Sequence, residues 1–398
     1  MKEAYEKVKA NAGAAGVDEV SLQRFDEDLK GNLYKIWNRM SSGTYFPPPV
    51  LAVEIPKKQG GVRILGVPTV ADRVAQTVVA MALEPDVEPI FHTDSYGYRP
   101  RRSALDAVAK CRERCKRLDW VIDLDIRSFF DSIDHNLLMR AISKHTEVAW
   151  ILLYIRRWLT APLQKEACAL VARDRGTPQG SAISPLLANL FLHYVFDKWM
   201  EENHPDVPFE RYADDVVVHC ANKAQARRTL ETITERMKRC GLELNSDKTR
   251  IVYCKDDNRK GQHDHTSFDF LGYTFRRRAC RNPDGEVFDG FVPAISDQAA
   301  KAIRHRIRRW HLHWRSDLSL GDLARWVNPI VRGWINYYGR FYRSQLYRSF
   351  RGINRYLMRW AQWKYKRLRR NPRRAWAWLK SVCQRSSSLF AHWVVCPV

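Results

Sequence analysis

The chain is 398 residues long, which at about 150 residues per domain predicts two or three domains. Hydrophobic residues make up 45% and charged residues 28%, so packed domains are expected and global disorder is excluded. No run approaches about 20 consecutive apolar residues, which excludes a membrane-spanning helix, and the net charge is +23.

In chain order, residues 10–16 are small and Gly-containing and read as a loop. Leu22, Phe25, Leu29, Leu33, Ile36 and Trp37 then recur at helical spacing and predict one helix over residues 21–40. Pro47-Pro48-Pro49 closes this N-terminal piece. Two short strands, residues 51–55 and 62–65, flank a Gly60-Gly61 turn. A helix is predicted over residues 70–83, bounded by Pro68 and Pro85. Residues 120–126 form a β-type run that nevertheless carries Asp123 and Asp125, and residues 209–220 read as a strand pair broken by Ala213-Asp214-Asp215. Helical patterns cover residues 137–159, 182–200 and 224–240. This mixture predicts an α/β or α+β core up to about residue 278.

The texture changes near Arg281-Asn282-Pro283-Asp284-Gly285, where a segment boundary is expected. Beyond it the pattern is helical and holds nine of the fourteen Trp. Residues 286–398 carry 23 basic and 5 acidic residues, and no acid follows Asp322. So one-sided a block repels itself unless a polyanion neutralises it, which predicts nucleic acid or an anionic membrane surface as partner. Nine cysteines without a C-x-x-C spacing suit free thiols in a reducing compartment and remove the usual four-Cys zinc site. No signal-peptide run opens the chain.

Tyr212-Ala213-Asp214-Asp215 is the sharpest local signal. Adjacent acids raise each other's pKa, and a divalent cation relieves the repulsion. Taken alone, the same residues read equally as an acidic hairpin turn. Asp123 and Asp125 shift the balance, because on a strand they share one face and acids within so apolar a run need a partner or a metal. Two strand-borne acidic clusters beside a basic region fit two-metal phosphoryl transfer, in which paired ions hold the attacking and leaving oxygens. A Walker loop and a Gly-x-Ser-x-Gly elbow are both missing, which disfavours P-loop ATPase and acyl-transfer chemistry.

These residues resemble the ordered motifs of the group II intron-encoded reverse transcriptase/maturase family. Tyr212-Ala213-Asp214-Asp215 is similar to its catalytic box and residues 125–135 (Asp-Ile-Arg-Ser-Phe-Phe-Asp-Ser-Ile-Asp-His) to its first palm motif. Residues 176–189, opening Gly176-Thr177-Pro178-Gln179-Gly180, resemble the template- and nucleotide-contacting motif. Residues 241–249 and Phe270-Leu271-Gly272-Tyr273 resemble later palm motifs, residues 55–63 and 68–73 the fingers, residues 13–18 the N-terminal extension, and residues 333–338 the maturase (X, or thumb) domain. The resemblance implies an α+β right-hand polymerase, fingers and palm with antiparallel sheet, followed by an all-α thumb/maturase domain. Its parts would be an N-terminal extension (1–46), fingers and palm (47–280), and a helical thumb with a basic tail (295–398). No room is left for the HNH endonuclease domain that some members carry.

The implied reaction is RNA-templated addition of dNTPs to a primer 3′-hydroxyl, with splicing assistance and retrohoming. Mg²⁺ would be held by Asp125, Asp214 and Asp215 with the backbone carbonyl of Ile126, and Lys248 would protonate the leaving pyrophosphate. Lys57, Arg63, Phe130 and Gln179 would bind the dNTP, Phe130 by reading the sugar. Plainer readings stand beside these roles: Asp123 as a supporting acid, Lys248 as a surface residue, Phe129 rather than Phe130 facing the nucleotide. RNA would be gripped by Arg304, Arg308, Arg340, Arg343, Arg348, Arg351, Arg355 and Arg359, while Trp310, Trp314, Trp326, Trp334, Trp360 and Trp363 would mostly be core. Implied partners are intron RNA in a ribonucleoprotein, an RNA template with DNA or RNA primer, and target DNA, without a membrane, in the cytoplasm of a prokaryotic cell. Two alternatives stay open: an RNA-binding maturase whose polymerase site has decayed, which intact Asp125 and Asp214-Asp215 argue against, and a domesticated or defence-associated reverse transcriptase.

Overall fold

A computed structural model describes residues 1–56, 61–165, 169–282 and 284–398. The chain forms two compact units, Met1–Ala107 with Ile122–Arg250, and Val108–Val121 with Ile251–Val398.

The first unit opens with α1 (Lys2–Ala10), α2 (Leu22–Glu27) and α3 (Leu29–Ser41). The single helix expected over residues 21–40 breaks at Asp28, whose φ/ψ of −130°/55° leaves the helical region while its carboxylate accepts the Gly31 amide at 3.1 Å. A short acid that caps a new helix outcompetes continuation of the old one. Strands β1 (Val50–Pro56) and β2 (Val62–Val67) pair antiparallel, Leu51 opposite Val67. Next comes α4 (Val70–Val87), capped by Thr69, whose hydroxyl accepts the Asp72 amide. It runs through Pro85 instead of stopping before it. Leu83 and Val87 are both fully buried, and their burial outweighs the one backbone bond that proline forfeits.

Helix α5 (Ala104–Cys115) crosses the first change of unit and strand β3 (Trp120–Asp125) the second. Then follow α6 (Phe129–Ser132), α7 (His135–Ser143), α8 (Ala149–Thr160), β4 (Leu163–Gln164) and β5 (Leu170–Val171). The helix expected over 137–159 is thus two, separated by a turn in which Thr146 Oγ1 accepts the Val148 amide. β1 also pairs in parallel with β4, making the sheet β2-β1-β4-β5. α9 (Ser184–Leu192) passes through a π-helical turn (His193–Asp197) into α10 (Lys198–Asn203). Strands β6 (Phe209–Tyr212) and β7 (Asp215–Cys220) pair antiparallel with Tyr212 opposite Asp215, and β7 lies next to β3. α11 (Lys223–Arg239) follows, and β8 (Arg250–Tyr253) crosses the third change of unit, after Arg250.

The second unit continues with β9 (Ser267–Phe270), β10 (Tyr273–Arg281) and β11 (Val287–Ile295), in the order β11-β10-β9. The boundary expected at residues 281–285 is the tip of a hairpin: Arg281 pairs with Val287, the Asn282 amide donates to the Glu286 carbonyl at 3.0 Å, and Gly285 has φ +89°. Asn, Asp and Gly serve tight turns and linkers alike, so composition cannot separate the two. Helices α12 (Asp297–Arg309), α13 (Leu320–Tyr338), α14 (Leu346–Lys364) and α15 (Pro372–Arg385) follow. They share a core that includes Ile303, Leu323, Val327, Phe350, Leu357, Trp360 and Leu379. Two buried amides pin the C-terminal segment. Asn354 accepts from His392 Nε2 (2.7 Å) and Trp393 Nε1 (3.0 Å), and Asn328 donates to the Leu389 carbonyl. The tryptophan expectation holds only in part: Trp310 and Trp360 are buried, whereas Trp314 and Trp363 are more than 60% exposed and Trp326 is 39% exposed. Helical spacing fixes a face, but not whether another element covers it.

Candidate active site and nucleic-acid interface

The first unit contains a cavity of about 950 Å³ whose lining includes Asp125, Ile126, Phe130, Gln179, Asp214, Lys248 and Arg63. These are seven of the residues singled out in the sequence, drawn from segments up to 185 positions apart. Lys57 lies outside the described residues. Asp215 is not among the lining residues, although the charges of Asp214 and Asp125 act on it.

Asp125 stands at the end of β3, and the segment after α11 is docked against it. The Asn245 amide donates to the Asp125 carbonyl (2.8 Å) and the Arg127 amide to the Glu243 carbonyl (2.8 Å). These two bonds flank the Ile126–Leu244 bridge, so Ile126 is its non-hydrogen-bonded member and keeps its carbonyl out of that pairing. The docking delivers Lys248, whose Nζ lies 3.2 Å and 3.3 Å from the two Asp125 oxygens.

Asp214 sits in the turn between β6 and β7, just after Ala213, a non-glycine residue at φ +57°. Burial raises the Asp214 carboxyl and Asp125's charge adds to it, while Arg63 and Arg211 pull the other way. Asp215 reaches the surface, yet the protein crowding its carboxyl, then the charges of Asp214 and Asp125, push it up to about 6. Asp214 and Asp215, both raised by burial and by neighbouring acid charge, form with Asp125 a donor set short of positive charge. They suit a hard divalent cation that takes oxygen ligands and leaves room for substrate phosphates.

The opposite wall is set by glycine. Gly180, at φ +117°, lies so close to the Gly66 carbonyl that a Cβ would collide with it, and the Gly66 amide donates to the Gln179 carbonyl at 2.8 Å. This brings β2 against the 176–180 segment, and Arg63 Nε hydrogen-bonds Gln179 Oε1. Phe129 is buried whereas Phe130 is half-exposed, their rings 5.3 Å apart in an edge-to-face arrangement. Both line the cavity, Phe130 with the accessible ring. Asp123 is not among the lining residues.

Sequence reading missed the supports. Asp72, fully buried, accepts from Tyr45, Trp158 and Gln76, and burial pushes its carboxyl up to about 6. Gln76 in turn accepts from Ser181 Oγ (2.6 Å) and the Ala182 amide (2.8 Å), tying α4 to the segment after Gly180. Polar residues four apart on the apolar face of α4 were the available signal. Tyr98, which lies in the Tyr96-Gly97-Tyr98-Arg99-Pro100 run that resembles a second fingers motif, also lines the cavity, although no role was assigned to it from sequence.

In the second unit, Arg304 and Arg308 on α12 and Arg348, Arg351 and Arg355 on α14 line one groove of about 560 Å³, together with Tyr347 and Tyr356. Arg340, Arg343 and Arg359 are exposed but do not line it. The His263 ring packs edge-on against Trp120 and Tyr253. Among the described residues no helix is long and apolar enough to cross a membrane.

Residues 55–275 match the family described as reverse transcriptase (RNA-dependent DNA polymerase), and residues 300–377 match the group II intron maturase-specific domain. The chain is 32% identical to protein YkfC of Escherichia coli (strain K12) over 315 residues, 68% of this chain and 78% of that protein. It is 34% identical over 200 residues to the group II intron-encoded protein LtrA of Lactococcus lactis, 50% of this chain but only 33% of LtrA. A structure of telomerase from Candida albicans aligns with TM-score 0.47 at 12% identity, covering 94% of this chain and 68% of that one.

Proposed function

The chain belongs to the reverse transcriptase family and carries a group II intron maturase-specific domain behind the polymerase residues, and from that premise we propose how its own residues perform RNA-directed DNA synthesis. The supporting observation is the convergence of Asp125, Asp214, Lys248, Arg63, Gln179 and Phe130 on one cavity. Divalent metal ions serve this family, and we assign Mg²⁺ to Asp125, Asp214 and Asp215 with the Ile126 carbonyl. Bound there, the ions would supply charge stabilisation to the attacking 3′-oxygen and the leaving pyrophosphate.

The protein's own part is positioning and proton transfer. Arg63, with Lys57, binds the triphosphate of an incoming dNTP, Arg63 through its planar fork. Entry of the nucleotide exchanges Arg63's bond to Gln179 for bonds to phosphate oxygens and frees the Gln179 amide to contact the nucleotide. The accessible Phe130 ring lies under the sugar and excludes a 2′-hydroxyl. Lys248, held beside Asp125, donates a proton to the pyrophosphate oxygen as it leaves; a metal ion at Asp125 would compete with it for that carboxylate. The fingers and palm follow an extension (1–46), and the thumb helices fall within 295–398.

The maturase role gives the chain an RNA partner, and we assign the arginine groove of α12 and α14 to its phosphates. Such contacts position RNA without reading its sequence. Intron RNA, an RNA template with its primer, and target DNA during retrohoming are the nucleic acids this reading requires. Primer extension on an RNA template with dNTPs tests it. Extension should require the divalent ion and vanish in Asp125→Ala and Asp214→Ala while RNA binding persists; extension by either variant at the wild-type rate refutes the assignment.

A further inference from the structure

The turn that carries Asp214 is held by a buried charge pair. Arg211, on β6 three residues before Asp214, is fully buried, as is Asp197. Its Nε and Nη2 donate to the two Asp197 oxygens, each at 2.6 Å. Its remaining nitrogen, Nη1, donates to Asn189 Oδ1 (3.0 Å) and to the carbonyl of Ala213 (3.1 Å), inside the turn itself. Asn189 uses its Nδ2 to hold the Gly97 carbonyl at 2.6 Å. Gly97 lies so close to the turn that a Cβ there would strike the Ala213 amide.

The turn needs such bracing. Ala213 sits at φ +57°, a left-handed conformation that a residue with a Cβ adopts at a cost. Asp214 and Asp215 repel each other and Asp125. Left alone, the turn would relax and the carboxylates would spread. The helix that supplies the anchor is itself irregular, since Asp197 closes the π-turn His193–Asp197. An inserted residue rotates everything after it by about 100° around the axis, and π-turns occur mostly where a side chain must be aimed. A buried ion pair is also a poor choice for stability alone, because an apolar replacement of both partners is often as stable.

We propose that Arg211, Asp197 and Asn189 form a positioning device that sets the Asp214 turn for metal binding, with Arg211 as the strut. None of the three lines the cavity, so they act through the turn and not on substrate. The proposal rests on the assignment of Asp125 and Asp214 as metal-holding residues.

The test measures Mn²⁺ binding by electron paramagnetic resonance without primer or nucleotide, and the Mg²⁺ concentration for half-maximal primer extension. Wild type, Asn189→Ala, Arg211→Lys and Asp214→Ala are compared, with melting temperature and RNA binding recorded for each. Asn189→Ala removes one acceptor of the strut and leaves the ion pair in place, whereas Arg211→Lys keeps the charge and loses the fork. Supporting residues of metal sites change affinity about 10- to 100-fold when removed, and both variants should weaken Mn²⁺ and raise the half-maximal Mg²⁺ by that range while RNA binding holds. A merely structural role would lower the melting temperature and leave both metal readouts alone; folded Asn189→Ala with wild-type metal affinity overturns the proposal, whatever Arg211→Lys does. Failure of the site assignment has a different signature, Asp214→Ala binding Mn²⁺ like the wild type.

Discussion

Lys248 and Asp125, 123 residues apart in the chain, form the contact at the centre of the cavity: the ammonium lies 3.2 Å and 3.3 Å from the two carboxylate oxygens. The pair is half-exposed on the lysine side, so it adds little to stability. Under the proposed assignment its value lies in placing a positive charge where the leaving phosphate would need one. Asp125, proposed to hold the metal, here holds the proposed proton donor.

Lys248→Ala should therefore separate binding from chemistry. A positioned general acid contributes about 10²- to 10⁴-fold, so kcat should fall within that range while metal affinity stays level or improves, since Lys248 no longer competes for Asp125. Single-turnover extension across a Mg²⁺ titration measures both. Weaker metal binding with unchanged kcat would assign Lys248 to structure.

Phe130→Val should raise use of ribonucleotides relative to deoxynucleotides, because the half-exposed ring is the one able to meet a 2′-hydroxyl. Phe129→Val should leave that ratio alone and lower stability by about 1–3 kcal/mol, as expected for partial loss of a buried ring. The rNTP-to-dNTP ratio of kcat/KM, read with urea unfolding of both variants, checks the pair. An unchanged ratio in Phe130→Val removes the residue from sugar selection.

Asp72 gives a pH signature. Its folded value of about 6 lies above the ordinary carboxylate value, so its contribution to stability is full below about pH 4 and is lost as pH rises through about 6. A shift of about two units corresponds to roughly 3 kcal/mol. The stability of Asp72→Asn minus that of wild type should accordingly move in the variant's favour by about 2–3 kcal/mol between pH 4 and 7. Parallel urea-unfolding curves at both pH values would show that the buried carboxyl does not titrate there.

RNA affinity should fall steeply with salt, by about 10³-fold between about 50 and 200 mM if at least six phosphates are neutralised. Replacing Arg348, Arg351 and Arg355 with Gln should reduce the log–log slope by about 1 per lost phosphate contact. The same change at Arg340 and Arg343, outside the groove, should move it less. Equal effects from both sets would spread the RNA contact over the whole basic surface.

The sequence by itself determined the chemistry and the order of the parts. Acids on strands, a Gln-Gly step and a basic helical segment are local facts, and local periodicity placed most helices and strands near their observed positions. What it left open depended on which surfaces meet. Periodicity put six tryptophans on helical faces, yet only tertiary packing decided that Trp360 is buried and Trp314 is not. The stretch at 281–285 looked like a break between domains because turn residues compose both linkers and hairpins; pairing of Arg281 with Val287 made it a hairpin. Nothing in the sequence links Arg211, Asp197 and Asn189, since a buried polar group announces a partner without naming it. Only the folded chain, by excluding water around Arg211 and turning Asp197 inward, made those residues the frame of the Asp214 turn.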